Sequence, residues 1–193
     1  MLRRLLRRLL GRLVLPLLLL VAVLAPSVPA AGLEDYAPYQ PQTRCSPHAK
    51  PGTEALGRWL VRRYGGSWGG VSRSCGSGTS EHAEGRAFDW TLDASTKQGR
   101  RTARAFLRDA FAADAKGREH AKARRMGIMY VIWDDRMYAA WDAFEPEPYL
   151  SSSCRKRAKC SATLRHRDHV HISLTRKAGR GRTSWYAGRV DAG

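Results

Sequence analysis

Apolar side chains at helical spacing predict two main helices. The first is expected to open at Thr53 and to end at the Gly65-Gly66 pair. Ser95 or Thr96 is predicted to cap the second helix, and Gly117 to end it. The apolar stripe of this second helix consists of Ala103, Phe106, Leu107, Ala110 and Phe111.

Alternating apolar and polar residues predict strands at 86–92 and 169–174, and the run 127–133 is the strongest strand pattern in the chain. Asp134-Asp135 is expected to turn that run into a hairpin with residues 136–141. Strands and helices do not alternate regularly. The order therefore predicts an α+β fold, with a small, mostly antiparallel sheet and helices on one face.

Residues 1–30 have the pattern of a secretory signal peptide. An apolar stretch, Leu13 to Leu24, is followed by Val28-Pro29-Ala30, which ends on the small residue a signal peptidase needs. The positive region before it contains Arg3, Arg4, Arg7, Arg8 and Arg12. The alternative is an uncleaved anchor helix, but the apolar stretch is shorter than the roughly 20 residues of a membrane span. We expect a secreted or cell-wall-associated protein without a stable membrane span after cleavage.

The rest of the chain is long enough for one compact domain. We expect a Pro-rich linker or arm over residues 31–52, a folded domain over 53–175 and a basic, flexible tail over 176–193, in which Trp185-Tyr186 can fold back. A monomer is expected.

The chain is strongly basic. Loss of the signal peptide lowers the formal charge from +17 to +12. Basic proteins favour anionic partners, and export makes an anionic cell-wall polymer a better candidate than nucleic acid. The alternative is an arginine-rich, solvated surface without a specific partner.

The even number of cysteines in an exported chain predicts disulfides. We favour the short loop Cys154–Cys160, which leaves Cys45–Cys75 to tie the arm to the segment before residue 80. A cysteine-ligated zinc is disfavoured, because the chain has no C-x-x-C pair.

Two segments contain candidate metal ligands. Residues 80–89 hold His82 and Asp89, and residues 168–171 hold His171. A catalytic zinc site needs three such N/O ligands and an open fourth position. The simpler alternatives are a surface histidine at 82 and a turn-capping aspartate at 89.

The remaining residues of the second segment are candidate acid–base groups. His169 shares a strand face with His171, so it is expected next to the metal, where it can stabilise an oxyanion or carry a proton. Asp168 lies at the start of the strand, where a kink can bring its carboxylate to the reacting water as general base.

The first segment resembles a known family. Ser80-Glu81-His82-Ala83-Glu84-Gly85-Arg86-Ala87-Phe88-Asp89 matches the S-x-H-x-x-G-x-A-x-D signature of VanY/VanX-type D-Ala-D-Ala carboxypeptidases, which belong to the hedgehog/DD-peptidase zinc superfamily. The resemblance spans roughly residues 55 to 175 and implies that superfamily's α+β fold. It also implies zinc ligation by His82, Asp89 and His171.

The second segment departs from the E-x-x-H pattern of that family. Asp168 stands where the family has Glu, and His169-Val170-His171 looks more like the lysostaphin-type relatives. The resemblance therefore leaves the base open between the two residues, with Asp168 as the first candidate and His169 as the second. It also implies Arg73 as a substrate- and oxyanion-binding residue and Ser80 as a residue that orients substrate or a ligand.

These observations predict a secreted zinc peptidase that hydrolyses stem peptides or crosslinks of peptidoglycan, as a carboxypeptidase or an endopeptidase. The alternative is an inactive, zinc-containing wall-binding module, for which a closed site with His166 or His169 as fourth ligand is expected. A basic nucleic-acid binder is the least favoured, because the chain is exported and has no recognised binding motif.

Overall fold

A six-stranded antiparallel sheet forms the centre of the residues that the computed structural model describes, 32–76 and 78–190. The predicted signal peptide lies outside these described residues. The strands are β1 (Ser67–Gly70), β2 (Ala87–Thr91), β3 (Ile128–Trp133), β4 (Arg136–Ala139), β5 (Pro146–Pro148) and β6 (His169–Leu174). Their order is β1-β2-β6-β3-β4-β5, and each neighbouring pair is antiparallel. The predicted α+β class is confirmed.

The helices are α1 (Pro51–Tyr64), α2 (Lys97–Phe111), α3 (Ala121–Met126) and the short α4 (Arg176–Gly179). The hydroxyl of Thr96 caps α2 by accepting a hydrogen bond from the backbone N–H of Gly99 at 2.9 Å. The prediction that α2 continues to Gly117 is wrong, because the helix ends at Phe111. The carboxylate of Asp114 instead accepts the backbone N–H groups of Lys116 and Arg118 and forms a local turn.

The main core lies between the helices and one face of the sheet. Phe88 and Trp90 of β2 and Ile172 of β6 are fully buried there against α1 and α2. Side chains alternate along a strand, so the residues between these positions point to the opposite face. A smaller apolar cluster on that face contains Met129, Tyr130 and Ile132 of β3.

Both ends of the described chain pack onto this domain, and the described residues 32–76 and 78–190 belong to one compact unit. In the arm, the backbone N–H of Ser46 donates to Ala83 O at 2.7 Å and that of Lys50 donates to Gly85 O at 2.9 Å. In the tail, Tyr186 is fully buried and donates from its hydroxyl to Met126 O at 3.2 Å. The tail is therefore ordered through residue 190, because its aromatic residues fold back into the core.

Both predicted disulfides are confirmed, Cys45–Cys75 and Cys154–Cys160. The first joins the arm to the segment before residue 80, and the second closes a short surface loop. Disulfides are typical of oxidising, extracytoplasmic compartments, which is compatible with export. Across residues 32–76 and 78–190, no helix is both long and apolar enough to cross a membrane.

Candidate metal centre

Strand register brings an aspartate of β2 and a histidine of β6 together. Asp89 of β2 pairs directly with His171 of β6, and Thr91 pairs with His169. Directly paired residues of antiparallel strands lie within about 5.5 Å of each other on the same face. Asp89 and His171 therefore meet on the face of the sheet opposite the main core.

His82 reaches the same point from a 3₁₀ turn, Glu81–Glu84, which we call the motif turn. The turn begins at Ser80, whose hydroxyl accepts the backbone N–H of His82 at 3.3 Å. It ends at Gly85, which has a left-handed backbone with φ 66°. A Cβ on Gly85 would lie 2.0 Å from His48 O, so only glycine fits between the turn and the arm. Glycine at this position is what lets the chain bend from His82 back into β2.

Three donor atoms converge at this point. His82 Nε2 lies 3.0 Å from Asp89 Oδ1 and 3.2 Å from His171 Nδ1. His171 Nδ1 lies 3.0 Å from the same Asp89 oxygen. His82, Asp89 and His171 form a group that could hold a metal ion.

Hydrogen bonds on the far side of each imidazole turn its free lone pair toward this group. His82 Nδ1 contacts the carbonyl oxygen of Val71 at 3.2 Å, and a carbonyl only accepts, so Nδ1 carries the proton. His171 Nε2 lies 2.8 Å from Ser173 Oγ, which can accept its N–H. Nε2 of His82 and Nδ1 of His171 are then both unprotonated and face each other beside a carboxylate. Bare lone pairs at this spacing repel, and a bound cation removes that repulsion.

The local environment favours the protonation states that metal ligands need. Burial raises the pKa of Asp89, but its hydrogen bonds with His171 and His82 outweigh that effect and hold the pKa well below its usual range. Burial lowers the pKa of the His171 imidazole. An ionised carboxylate and neutral imidazoles are the forms that bind metal.

The donor set fits zinc in number and spacing. Donors of a tetrahedral zinc ion at 2.0–2.1 Å lie about 3.3 Å apart, close to the spacing of this group. Within the part of the chain that the structure describes, the group contains these three residues and neither His166 nor His169. Three protein ligands leave a coordination position open, as in catalytic zinc sites, whereas structural sites take four.

An Asp–His pair stands beside the three donors. His169 Nδ1 contacts Asp168 Oδ1 at 2.7 Å, and His169 Nε2 lies 3.7 Å from Asp89 Oδ1. The outer oxygen of Asp168 accepts from the hydroxyl of Thr163. His169 therefore presents Nε2 to the donor group, while Asp168 is engaged with His169 and Thr163, away from the donors. Between the two candidate bases, this geometry favours His169.

His166 packs beside the donor group, next to His169 and His171. Its ring lies 4.8 Å from that of His169 and 5.6 Å from that of His171, centroid to centroid. Burial, together with the neighbouring histidines, lowers its pKa to about 3. Its Nδ1 is buried without a hydrogen-bond partner in the described structure. The backbone at His166 is left-handed, with φ 50°, and is held by the N–H of Asp134, which donates to His166 O at 2.8 Å.

The chain matches one family, described as VldE, C-terminal domain, over residues 45–153. The chain belongs to this family. The match includes His82 and Asp89 and stops before His171. Comparison with curated proteins and with solved structures finds no match.

Part of this site was not apparent from sequence. Tyr130 of β3 stacks on the His171 ring at 5.5 Å and donates from its hydroxyl to Glu81 Oε2 at 2.6 Å. Ser173, which orients His171, lies two residues after it and so shares its strand face, a signal that the sequence did contain. Tyr130 depends on the pairing of β3 with β6, which local pattern does not reveal.

The remaining predicted residues, Arg73 and Ser80, lie near His82 but outside the donor group. The backbone N–H of Arg73 donates to His82 O at 3.1 Å, and its side chain is exposed. Ser80 also donates from its backbone N–H to Gln42 Oε1 at 2.6 Å, so it fixes the motif turn. A role for either residue in binding substrate stays a prediction.

Proposed function

We propose that this protein is a secreted zinc-dependent peptidase that hydrolyses peptide bonds of peptidoglycan. The observation that supports this most strongly is the combination of a three-donor, open site with the Asp168–His169 pair directly beside it. A closed structural zinc site would need neither an open position nor an oriented imidazole.

The chain's own residues would divide the work of hydrolysis. When bound, zinc supplies a Lewis acid that polarises the scissile carbonyl and lowers the pKa of water to about 7. His169 accepts the proton of the attacking water at Nε2 and returns it to the leaving amine. Asp168 holds the His169 ring through Nδ1 and stabilises the imidazolium that forms. This assignment makes His169 the base and Asp168 a positioning residue.

His166 is suited to the oxyanion. Its buried, neutral ring carries an unsatisfied nitrogen next to His169 and His171. A preorganised donor in a site with little water stabilises developing negative charge strongly. Arg73, which is exposed near the motif turn, would bind the carboxylate end of a substrate or assist the same charge.

The substrate class is supported by the resemblance of residues 80–89 to the D-Ala-D-Ala carboxypeptidase signature and by the two disulfides, which fit an extracytoplasmic protein. A basic surface would also concentrate the protein at an anionic wall. Both a carboxypeptidase that removes a terminal D-Ala and an endopeptidase that cuts crosslinks are compatible with the open site.

The test is digestion of purified peptidoglycan, with released fragments read by mass spectrometry. We expect chelator-sensitive release of amino acids or peptides by the wild type, strong loss with His169→Ala, and no loss with His48→Ala, an exposed histidine outside the donor group. Zinc binding without products from any wall preparation would contradict the peptidase and support the inactive wall-binding module instead.

A further inference from the structure

A cavity of about 430 Å³ lies apart from the candidate metal centre and is lined by none of its three donor residues. We call it the basic cavity. Its walls come from the arm, the motif turn and the start of the tail. The charged residues that line it are Arg44, Lys50, Glu84, Arg86, Arg176 and Arg180.

The positive charge of the basic cavity is not balanced by the protein. Its acid, Glu84, is occupied by the guanidinium of Arg86 and lies 3.4 Å from that of Arg176. Arg44, Lys50 and Arg180 have no carboxylate partner among residues 32–76 and 78–190. Like charges around one concave surface repel each other and focus a positive potential there. An anion in the cavity would relieve this repulsion.

The wall that carries these groups is rigid. The arm is bonded to the motif turn through the backbone of Ser46 and Lys50, and the Cys45–Cys75 disulfide holds the residue next to Arg44. Lys50 Nζ is further steadied by Ser46 Oγ at 2.7 Å. The backbone that carries Arg44 and Lys50 is therefore held in place before a ligand binds, which lowers the entropic cost of binding.

We propose that the basic cavity binds a phosphate group. Arg44 and Arg180 offer guanidinium forks that match phosphate oxygens, and Lys50 adds a point charge. Arg176 adds positive charge nearby, although its guanidinium already donates to Pro41 O and lies 3.4 Å from Glu84. A phosphate monoester carries a charge of about −1.5 to −2 at pH 7, which suits several unpaired cations better than a single carboxylate does. Ser46 also lines the cavity, and its hydroxyl, which accepts from Lys50 Nζ, can donate to a remaining phosphate oxygen. The phosphate can belong to a small phosphorylated molecule or to a phosphate-rich polymer.

The inference is tested by calorimetric titration of the full chain with inorganic phosphate, with polyphosphate and with polyglutamate. Both phosphate probes are expected to bind. Arg44→Gln combined with Arg180→Gln should weaken that binding about a hundredfold, because two charge-assisted contacts, each worth about tenfold, are lost. Both side chains are exposed, so the fold should survive. The matched control, Arg101→Gln with Arg104→Gln on exposed positions of α2, removes the same charge and should leave affinity unchanged.

A higher affinity per phosphate for polyphosphate than for inorganic phosphate would identify the polymer as the source, and equal affinities would identify the small molecule. Absence of phosphate binding would overturn the proposal. It would also be overturned by equal weakening in both double variants, or by tighter binding of polyglutamate than of polyphosphate. The titration measures neither metal binding nor hydrolysis, so its result does not depend on the peptidase proposal.

Discussion

At the scale of single residues, the proposed metal ligands are separate from the proposed proton-transfer groups. His82, Asp89 and His171 share a small triangle of donor atoms, whereas His169 stands just outside it and is held by Asp168. This separation allows each role to be removed without the other.

Replacing His169 by Ala should therefore lower turnover by about 10²–10⁴-fold, the usual contribution of a general base, and leave zinc affinity within a small factor of wild type. Asp168→Asn should lower kcat less, because the imidazole is still present but loses its orienting carboxylate. Steady-state kinetics on a soluble stem-peptide substrate, beside metal titration, would measure both. Full activity of His169→Ala would refute its assignment as base.

The hydrogen bond from His171 to Ser173 makes a second residue-scale prediction. Ser173 is fully buried, and Ser173→Ala would remove the acceptor that holds His171 with Nδ1 toward the donor group. Partners behind metal-binding histidines are typically worth about 10–100-fold in metal affinity. A competition assay with a chromogenic chelator should show a loss of that order. Ser153→Ala, on an exposed loop, is the control, and equal affinity in both variants would show that Ser173 does not orient the ligand.

At the scale of secondary-structure elements, the motif turn depends on Gly85. Gly85→Ala would be destabilised in two ways: alanine is strained in the left-handed backbone conformation, and its Cβ would lie 2.0 Å from His48 O. Gly117 is the matched control, because its φ of 73° is similar but nothing lies within 4 Å of a Cβ built there. We expect Gly117→Ala to cost about 1–2 kcal/mol of unfolding free energy from backbone strain alone. Gly85→Ala should cost clearly more in urea unfolding, and equal losses would mean that the arm does not press on the turn.

The elements also show which parts of the fold the sequence could predict. Periodicity located β2, β3, β6 and α1 to within a few residues, because each has one buried face and clear breakers at its ends. The end of α2 was missed because Asp114 stops the helix through its side chain, a local bond that competes with an apolar pattern that continues weakly. Short β5 is exposed on every residue and has no burial pattern to read.

The candidate site also has a part that the sequence could predict and a part that it could not. The residue types in 80–89 and 168–171, together with the resemblance of the first segment to a zinc-peptidase signature, were enough to nominate the three donors. Strand alternation alone leaves His169 and His171 on the same face and does not choose between them. The sequence could not separate Asp168 from His169 as base, since that depends on where residues 163–168 turn before β6. The contacts of Tyr130 and of the Val71 carbonyl could not be predicted from sequence, because they depend on long-range strand pairing and on loop packing.

At the scale of the whole molecule, the two disulfides are expected to stabilise the fold unequally. Cys45–Cys75 closes a loop with a sequence separation of 30, and Cys154–Cys160 one of 6. Loop-closure entropy assigns them about 3.7 and about 2.4 kcal/mol. Replacing Cys45 and Cys75 by Ser should therefore lower Tm more than replacing Cys154 and Cys160, as read by calorimetry. The opposite order would show that the arm contributes little to stability.

The first pair also holds the arm against both proposed sites. The arm contacts the motif turn at Gly85 and lines the basic cavity, so release of Cys45–Cys75 would loosen both sites at once. The tail contributes from the other side, through Arg176 and the buried Tyr186. Residues 32–52 and 176–190 thus belong to the same folded unit as the candidate sites.

The central claim is that His82, Asp89 and His171 bind one metal ion. The most direct test is to measure zinc in the purified chain by mass spectrometry of the metal, beside the variants His82→Ala, Asp89→Ala, His171→Ala and His48→Ala. We predict about one zinc per chain in the wild type and in His48→Ala, and none in the three donor variants. A wild-type chain that neither contains zinc nor takes it up on dialysis, or donor variants that keep a full equivalent, would contradict the claim.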